Sequence, residues 1–161
     1  MNAFDEACLV EDEAMMVLIP FIARTCPGVI IVPTKNQPLL QKVKGDLIVN
    51  TPKDRFVEIK AERANKHGNL FLETWSNRAT GNPGWMDTCF ADRLWYYFID
   101  DDQLYTMRMK ELRMWAFGPN ANIFNYPEKQ QSKYCQLNDT WGRCVPIKAL
   151  AAFVKGPIHA K

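Results

Sequence analysis

Residues 45–62, GDLIVNTPKDRFVEIKAE, alternate apolar and polar side chains on both sides of a polar turn. An antiparallel hairpin fits this pattern and a helix does not. Asp46, Ile48 and Asn50 share one face of the first strand, and Phe56, Glu58, Lys60 and Glu62 share one face of the second. With the turn centred on Pro52, the register sets Asp46 opposite Glu58, whereas a slip of one residue separates them. Opposed acids repel and weaken a sheet. Charges in such a frame must serve one another or a ligand, and a bound cation removes the repulsion.

The remainder of the sequence surrounds this hairpin with an ordinary globular composition. A length of 161 residues, 47% hydrophobic and 24% charged, predicts one domain over residues 1–161 with a proper core. The longest apolar runs, such as MMVLIPFIA at 15–23, are too short to span a bilayer. Acids open the chain at Asp5 and Glu6 where a secretory leader carries bases, so the expectation is a cytoplasmic protein. Five scattered cysteines, Cys8, Cys26, Cys89, Cys135 and Cys144, form no C-x-x-C pair and argue against a disulfide framework or a zinc site. His67 and His159 stand in polar or terminal contexts and read as solvated. The net charge is +2, but residues 35–63 carry seven bases against four acids while the first thirteen carry five acids and no base. Basic surface around an acidic centre suits a polyanion held near a metal, although lysines on a solvated face are the default reading.

Periodicity predicts a helix from Phe4 to Arg24, with Cys8, Glu11, Ala14, Met15, Leu18 and Ile22 at spacings of three and four and Pro20 disturbing it. A short strand follows at PGVIIVPTK, then the hairpin, then a third strand at residues 69–75, NLFLETW. Asn82 and Pro83 look like a helix start, and the stripe Met86, Phe90, Leu94, Tyr97 carries that helix to Phe98. QLYTMRM at 103–109 reads as a strand, KELRMWAF as a helix, 118–140 as mostly loop, and RCVPIKALAAFVKG as a strand and a helix ending at Gly156. The order helix-strand-strand-strand-helix-strand gives an α/β domain, a mixed sheet flanked by helices.

Glu58, Ile59 and Lys60 form an E-x-K on one strand, so both charged side chains look into one cleft, and Asp46 begins the neighbouring strand. Alone, the triplet is a weak signal, and a cross-strand ion pair on a solvated face is the commoner explanation of it. Hydrolysis of a phosphodiester needs charge shielding and a deprotonated water, which Mg²⁺ or Mn²⁺ supplies while preferring carboxylate and carbonyl oxygens. The set Gly45-Asp46 and Glu58-Ile59-Lys60, in this order of elements, resembles the PD-(D/E)XK nuclease superfamily with its restriction-endonuclease-like core. Segments such as LFLETWSNRATGNPGW and LYTMRMKELRMW are also similar to small nuclease-like proteins of bacteriophages and prophages. The likeness covers roughly residues 5–155 and departs from the pattern where Gly45 replaces the usual proline. It implies Mg²⁺ or Mn²⁺ held by Asp46, Glu58 and the Ile59 carbonyl, with Lys60 orienting water and offsetting charge. It also implies a glutamate on the first helix, for which Glu11 and Glu13 are both open, as is a solvated first turn.

Further candidates have bland counterparts. Glu62 extends the Glu58 face and either serves a second metal or ends the strand in solvent, and Glu73 has the same two readings. Ser76, Asn77, Arg78 and Lys44 are able to contact phosphate, and loop polarity explains them as well. LWYYF at 94–98, with Trp75 and Trp85, can stack bases but fits core packing better. KQQSK at 129–133 is a possible backbone contact, and DDD at 100–102 reads as a solubilising turn. The function expected is a metal-dependent nuclease on DNA rather than RNA, structure-selective in the absence of a specificity domain. It would act in the host cytoplasm if phage-encoded, and as a homodimer if it cuts both strands. The alternative is a catalytically silent module of the same fold that binds nucleic acid or a host protein. No glycine-rich phosphate loop or G-x-S-x-G supports another hydrolase class.

Overall fold

The computed structural model describes residues 3–51, 53–131 and 139–161, with side chains from residue 9 and excluding 51, 53 and 54. Cys135 and the end of KQQSK lie outside the described residues, as do the side chains of Asp5, Glu6 and Cys8. The chain runs through α1 (Ala3–Thr25), β1 (Ile30–Pro33), α2 (Pro38–Lys44), β2 (Leu47–Thr51), β3 (Lys53–Glu62), β4 (Asn69–Asn77), β5 (Asn82–Pro83) and α3 (Trp85–Thr88). It continues through β6 (Arg93–Phe98), β7 (Gln103–Arg108), α4 (Met109–Phe117), β8 (Glu128–Gln130), β9 (Trp141–Pro146) and β10 (Lys155–Ile158), with 3-10 turns at Asn122–Asn125 and Ile147–Leu150.

Two sheets organise these elements. One has the strand order β1-β2-β3-β6-β7-β10 and the other β5-β4-β9-β8. The hairpin forms as its alternation predicts: β2 and β3 are antiparallel, from Leu47 against Val57 to Thr51 against Lys53. β1 extends them into a three-stranded meander, and β6 joins β3 in parallel, pairing Glu58 with Leu94 and Lys60 with Tyr96. The fold is mixed α/β, with a mixed sheet flanked by helices.

Three expectations need correction. The third strand, 69–75, does not continue the meander; β4 pairs with β9 in the second sheet, and β1 supplies the third meander strand. The helix expected from Asn82 to Phe98 is only the four residues of α3, preceded by the short strand β5 and followed by β6. Arg93–Phe98 lies between β3 and β7 with Leu94, Tyr96, Tyr97 and Phe98 all buried. A strand covered on both faces reads as a continuous apolar run, which periodicity cannot separate from a buried helix. The helix expected after Pro146 is a single 3-10 turn. Pro20, by contrast, lies inside α1 without ending it.

The central sheet has a core on each side. Ala14, Leu18 and Ile22 of α1 pack with Leu47, Val49, Val57, Ile59 and Tyr97. Leu94, Tyr96, Phe98 and Met107 pack on the other side with Leu70 and Leu72 of β4, Met86 of α3, Leu112 of α4 and Val145 of β9. Alternation along β3 therefore turns Val57 and Ile59 toward α1 and leaves Glu58, Lys60 and Glu62 on the second side. Along β4 it sends Leu70 and Leu72 into the core and leaves Phe71 and Glu73 lining the cleft beside β3.

Candidate active site

The site begins with a sheet edge left open. β2 starts at Leu47 opposite Val57, so residues 58–62 of β3 are paired by β6 alone. Backbone groups on the bare side need partners. Asp46 provides one: its Oδ2 accepts the Ile59 N–H at 2.7 Å, while its own N–H donates to the Val57 carbonyl at 2.8 Å. Gln41 of α2 donates through Nε2 to Asp46 Oδ1 at 2.8 Å. This placement depends on Gly45, which has φ +95° and lies so close to β3 that a Cβ would stand 2.7 Å from the Val57 carbonyl oxygen. A proline here, as in the superfamily pattern, has its φ fixed near −65° and does not fit.

Glu58 is 5% exposed. Its Oε1 meets Lys60 Nζ at 2.8 Å, and its Oε2 accepts from Cys89 Sγ at 3.4 Å. Glu11 reaches round the open edge from α1, with Oε1 3.9 Å from Lys60 Nζ. Glu73 arrives from the other sheet; its Oε1 accepts the Trp85 N–H at 3.3 Å, and Lys60 lowers its pKa electrostatically against the larger effect of burial. Lys60 Nζ also stands 6.0 Å from the centre of the Trp85 ring. Glu11, Asp46, Glu58, Lys60 and Glu73 line one cavity of about 320 Å³ together with Gln41, Ser76 and Cys89.

Burial raises the pKa of Glu58, Glu11 and Glu73, and the opposing pull of Lys60 is smaller. Burial alone would lower the pKa of Lys60, but Glu58, Glu11 and Asp46 outweigh it and hold the ammonium protonated well beyond its ordinary range. The Cys89 thiol, buried beside Glu58, is pushed up to about 12 and stays a neutral donor.

The five acidic and basic residues singled out at the hairpin, on the first helix and in β4 therefore meet. Glu13 instead pairs with Arg63 at 2.5 Å. Glu62 lies further along β3, where Tyr96 Oη donates to its Oε1, and burial raises its pKa. Ser76 lines the cleft, but Asn77 ends β4 and Arg78 opens the turn after it: Asn77 Oδ1 accepts the Thr80 N–H at 3.1 Å, and Arg78 pairs with Glu128 at 3.3 Å over the Trp141 ring. Lys44 lies 5.1 Å from the Phe56 ring centre. Sequence reasoning passed over Gln41, read Trp85 as a core or base-stacking aromatic and Cys89 as a scattered thiol, and placed neither beside the acids. Only Gln41 carried a signal, as a polar residue in the apolar-basic run PLLQKVK four positions before Gly45.

The donors suit a hard divalent cation, since Asp46 and Glu58 offer carboxylate oxygens and Mg²⁺ commonly takes one or two carboxylates with water. They do not form a cage, because among the described residues no three His, Cys, Asp or Glu side chains are placed to hold a metal ion together. Also among them, no helix is long and apolar enough to cross a membrane.

No protein-family model matches the sequence, nor does any curated protein. Among solved structures, a bacterial homing endonuclease, I-Ssp6803I, overlays with a TM-score of 0.40 at 17% identity, covering 68% of this chain and 71% of that one. An overlay that loose says nothing about chemistry; what the chain offers for function is the buried carboxylate–lysine cleft itself.

Proposed function

We propose that this protein is a metal-dependent nuclease that hydrolyses phosphodiester bonds, with DNA as the favoured substrate. The observation that carries the reading is the ion pair of Glu58 and Lys60, 2.8 Å apart in a cleft at the unpaired half of β3 with Asp46 beside it. Burying two charges costs more than an ion pair usually returns, and a solvated face would have served structure alone.

Asp46, Glu58 and the Ile59 carbonyl would hold Mg²⁺ or Mn²⁺, which supplies a Lewis acid for phosphate oxygens and a lowered pKa for bound water. Asp46 is oriented by Gln41 and the Ile59 N–H, so its carboxylate is fixed in advance. Lys60 stays charged and is no base; it orients the attacking water and offsets the charge that grows on the phosphate. Glu11 approaches that ammonium to 3.9 Å, and Glu73 lies within its electrostatic reach. Glu62, further along the strand, is assigned no part in hydrolysis.

A second reading keeps the fold as a silent module that binds nucleic acid or a host protein. It draws on the carboxylates' existing partners: Lys60 and Cys89 occupy Glu58, and Gln41 and Ile59 occupy Asp46. The test is incubation with Mg²⁺ or Mn²⁺ and linear, circular, branched and single-stranded DNA, and RNA, beside Lys60→Ala and an EDTA control. Cutting that needs metal and vanishes in Lys60→Ala supports the nuclease; no cutting by the folded protein supports the silent module. Size in solution with and without DNA tests the homodimer.

A further inference from the structure

A second cavity, of about 680 Å³, continues the catalytic cleft along β3. Glu11, Lys60, Glu73 and Trp85 line both, so the two form one trench. Past Lys60 its wall changes character. Phe71, half-buried, is seated over Gly142, where a Cβ would stand 2.6 Å from the ring's Cζ. Across from it, Tyr96 Oη accepts the Phe71 N–H at 3.1 Å and donates to Glu62, which leaves Glu62 Oε2 to accept from a ligand. The outer rim carries Lys66 and His67, both exposed.

We propose that this trench takes a single unpaired nucleic-acid strand, with the scissile phosphate at Glu58 and Lys60 and an adjoining base laid on Phe71. This rests on the cleft being the nucleic-acid site proposed above. An aromatic ring recessed in a concave wall reaches a base face only when that base is unpaired and unstacked, whereas duplexes are read by elements that project into their grooves. A rigid ring beside a basic rim is the arrangement that binds single strands through stacking and phosphate contacts. Glu62 Oε2 is placed to accept from a base amino or imino group, a group that pairing would hide. The acids in the trench repel a polyanion, so strand binding needs a divalent cation.

Fluorescence anisotropy of the full chain tests this, using labelled oligothymidylate of about twelve nucleotides and a blunt duplex of equal length, in Ca²⁺ to hold cleavage off. The unpaired strand is expected to bind at least tenfold more tightly, and Phe71→Ala to weaken it about tenfold, the scale of one lost stacking contact. Phe71→Leu keeps the bulk against Gly142 and guards against a folding defect; it is expected to weaken the strand similarly with an unchanged melting temperature. Lys66→Glu is expected to weaken the strand and to make its affinity less sensitive to added salt, because one phosphate contact fewer releases fewer counterions. Equal or tighter binding of the duplex, or unchanged strand affinity in both Phe71 variants, overturns the inference. A protein that cuts duplex in Mg²⁺ yet shows no strand preference refutes this inference and leaves the nuclease reading standing. One that binds strand through Phe71 and cuts nothing supports it and refutes the nuclease.

Discussion

Asp46 and Ile59 are joined across the open half of β3 by a 2.7 Å hydrogen bond from the Ile59 N–H to Asp46 Oδ2. The same carboxylate that is proposed to hold metal thus completes the backbone pairing of the strand that carries Glu58 and Lys60. Fold and chemistry separate at this residue. Asp46→Asn keeps an acceptor for the N–H and is expected to melt near the parent protein while losing metal-dependent cleavage. Asp46→Ala leaves that N–H without its partner and is expected to cost about 1–3 kcal/mol as well. Urea unfolding midpoints read beside cleavage rates check both; an active Asp46→Asn protein would remove Asp46 from the site.

Lys60 neutralises more than one acid. Removing it strands Glu58 in a nearly dry wall, and Lys60→Ala is expected to lose cleavage and about 2 kcal/mol of stability. That is below the roughly 3–5 kcal/mol of a fully buried pair, because a quarter of the lysine side chain remains exposed. The double variant Lys60→Ala/Glu58→Gln, with no charge left to strand, is expected to recover most of that stability and none of the activity. Thermal denaturation of the single and double variants forms the cycle that reads it.

Stability should fall as pH rises. Glu58, Glu11 and Glu73 have folded pKa values above the ordinary 4.5, so the folded chain holds their protons more tightly than the unfolded one. Their contribution is fully present below 4.5 and is lost as pH climbs through the raised values. Lys60, also raised, contributes at every pH below its ordinary 10.5 and does not reverse this trend. In EDTA the melting temperature is expected to drop as pH rises above 4.5, less steeply in Glu58→Gln. Mn²⁺ binds the deprotonated acids and is expected to raise the melting temperature most at the upper end. A flat profile, or one rising with pH, would contradict the pKa directions.

Asp102 provides a control remote from the cleft. The DDD turn does more than solubilise: Asp102 Oδ1 accepts Tyr97 Oη at 2.8 Å and the backbone N–H groups of Ala160 and Lys161 at 2.9 and 3.1 Å. It also sits at φ +47°, where Asn and Asp are tolerated better than Ala. Asp102→Ala is expected to destabilise by about 1–3 kcal/mol with the cleavage rate of folded protein unchanged, and Asp102→Asn to do so by less. Hydrogen exchange at Ala160 and Lys161 shows whether the chain end has come loose.

The hairpin was legible in the sequence because period-two alternation is a local property, and a strand's side chains must alternate whatever it packs against. That set which face Glu58, Lys60 and Glu62 share, and the polar stretch between the two runs set where Asp46 begins. The first helix was legible for the same reason, its apolar stripe surviving Pro20. β6 was not, since LWYYF is buried on both faces and its pattern carries no period to read. The assignment of β4 to a second sheet, the arrival of Glu73 and Trp85 opposite Lys60, and the bond from Gln41 to Asp46 depend on which distant surfaces come together. Those pairings belong to the packing of two sheets and a short helix around the open half of β3, which no local pattern encodes.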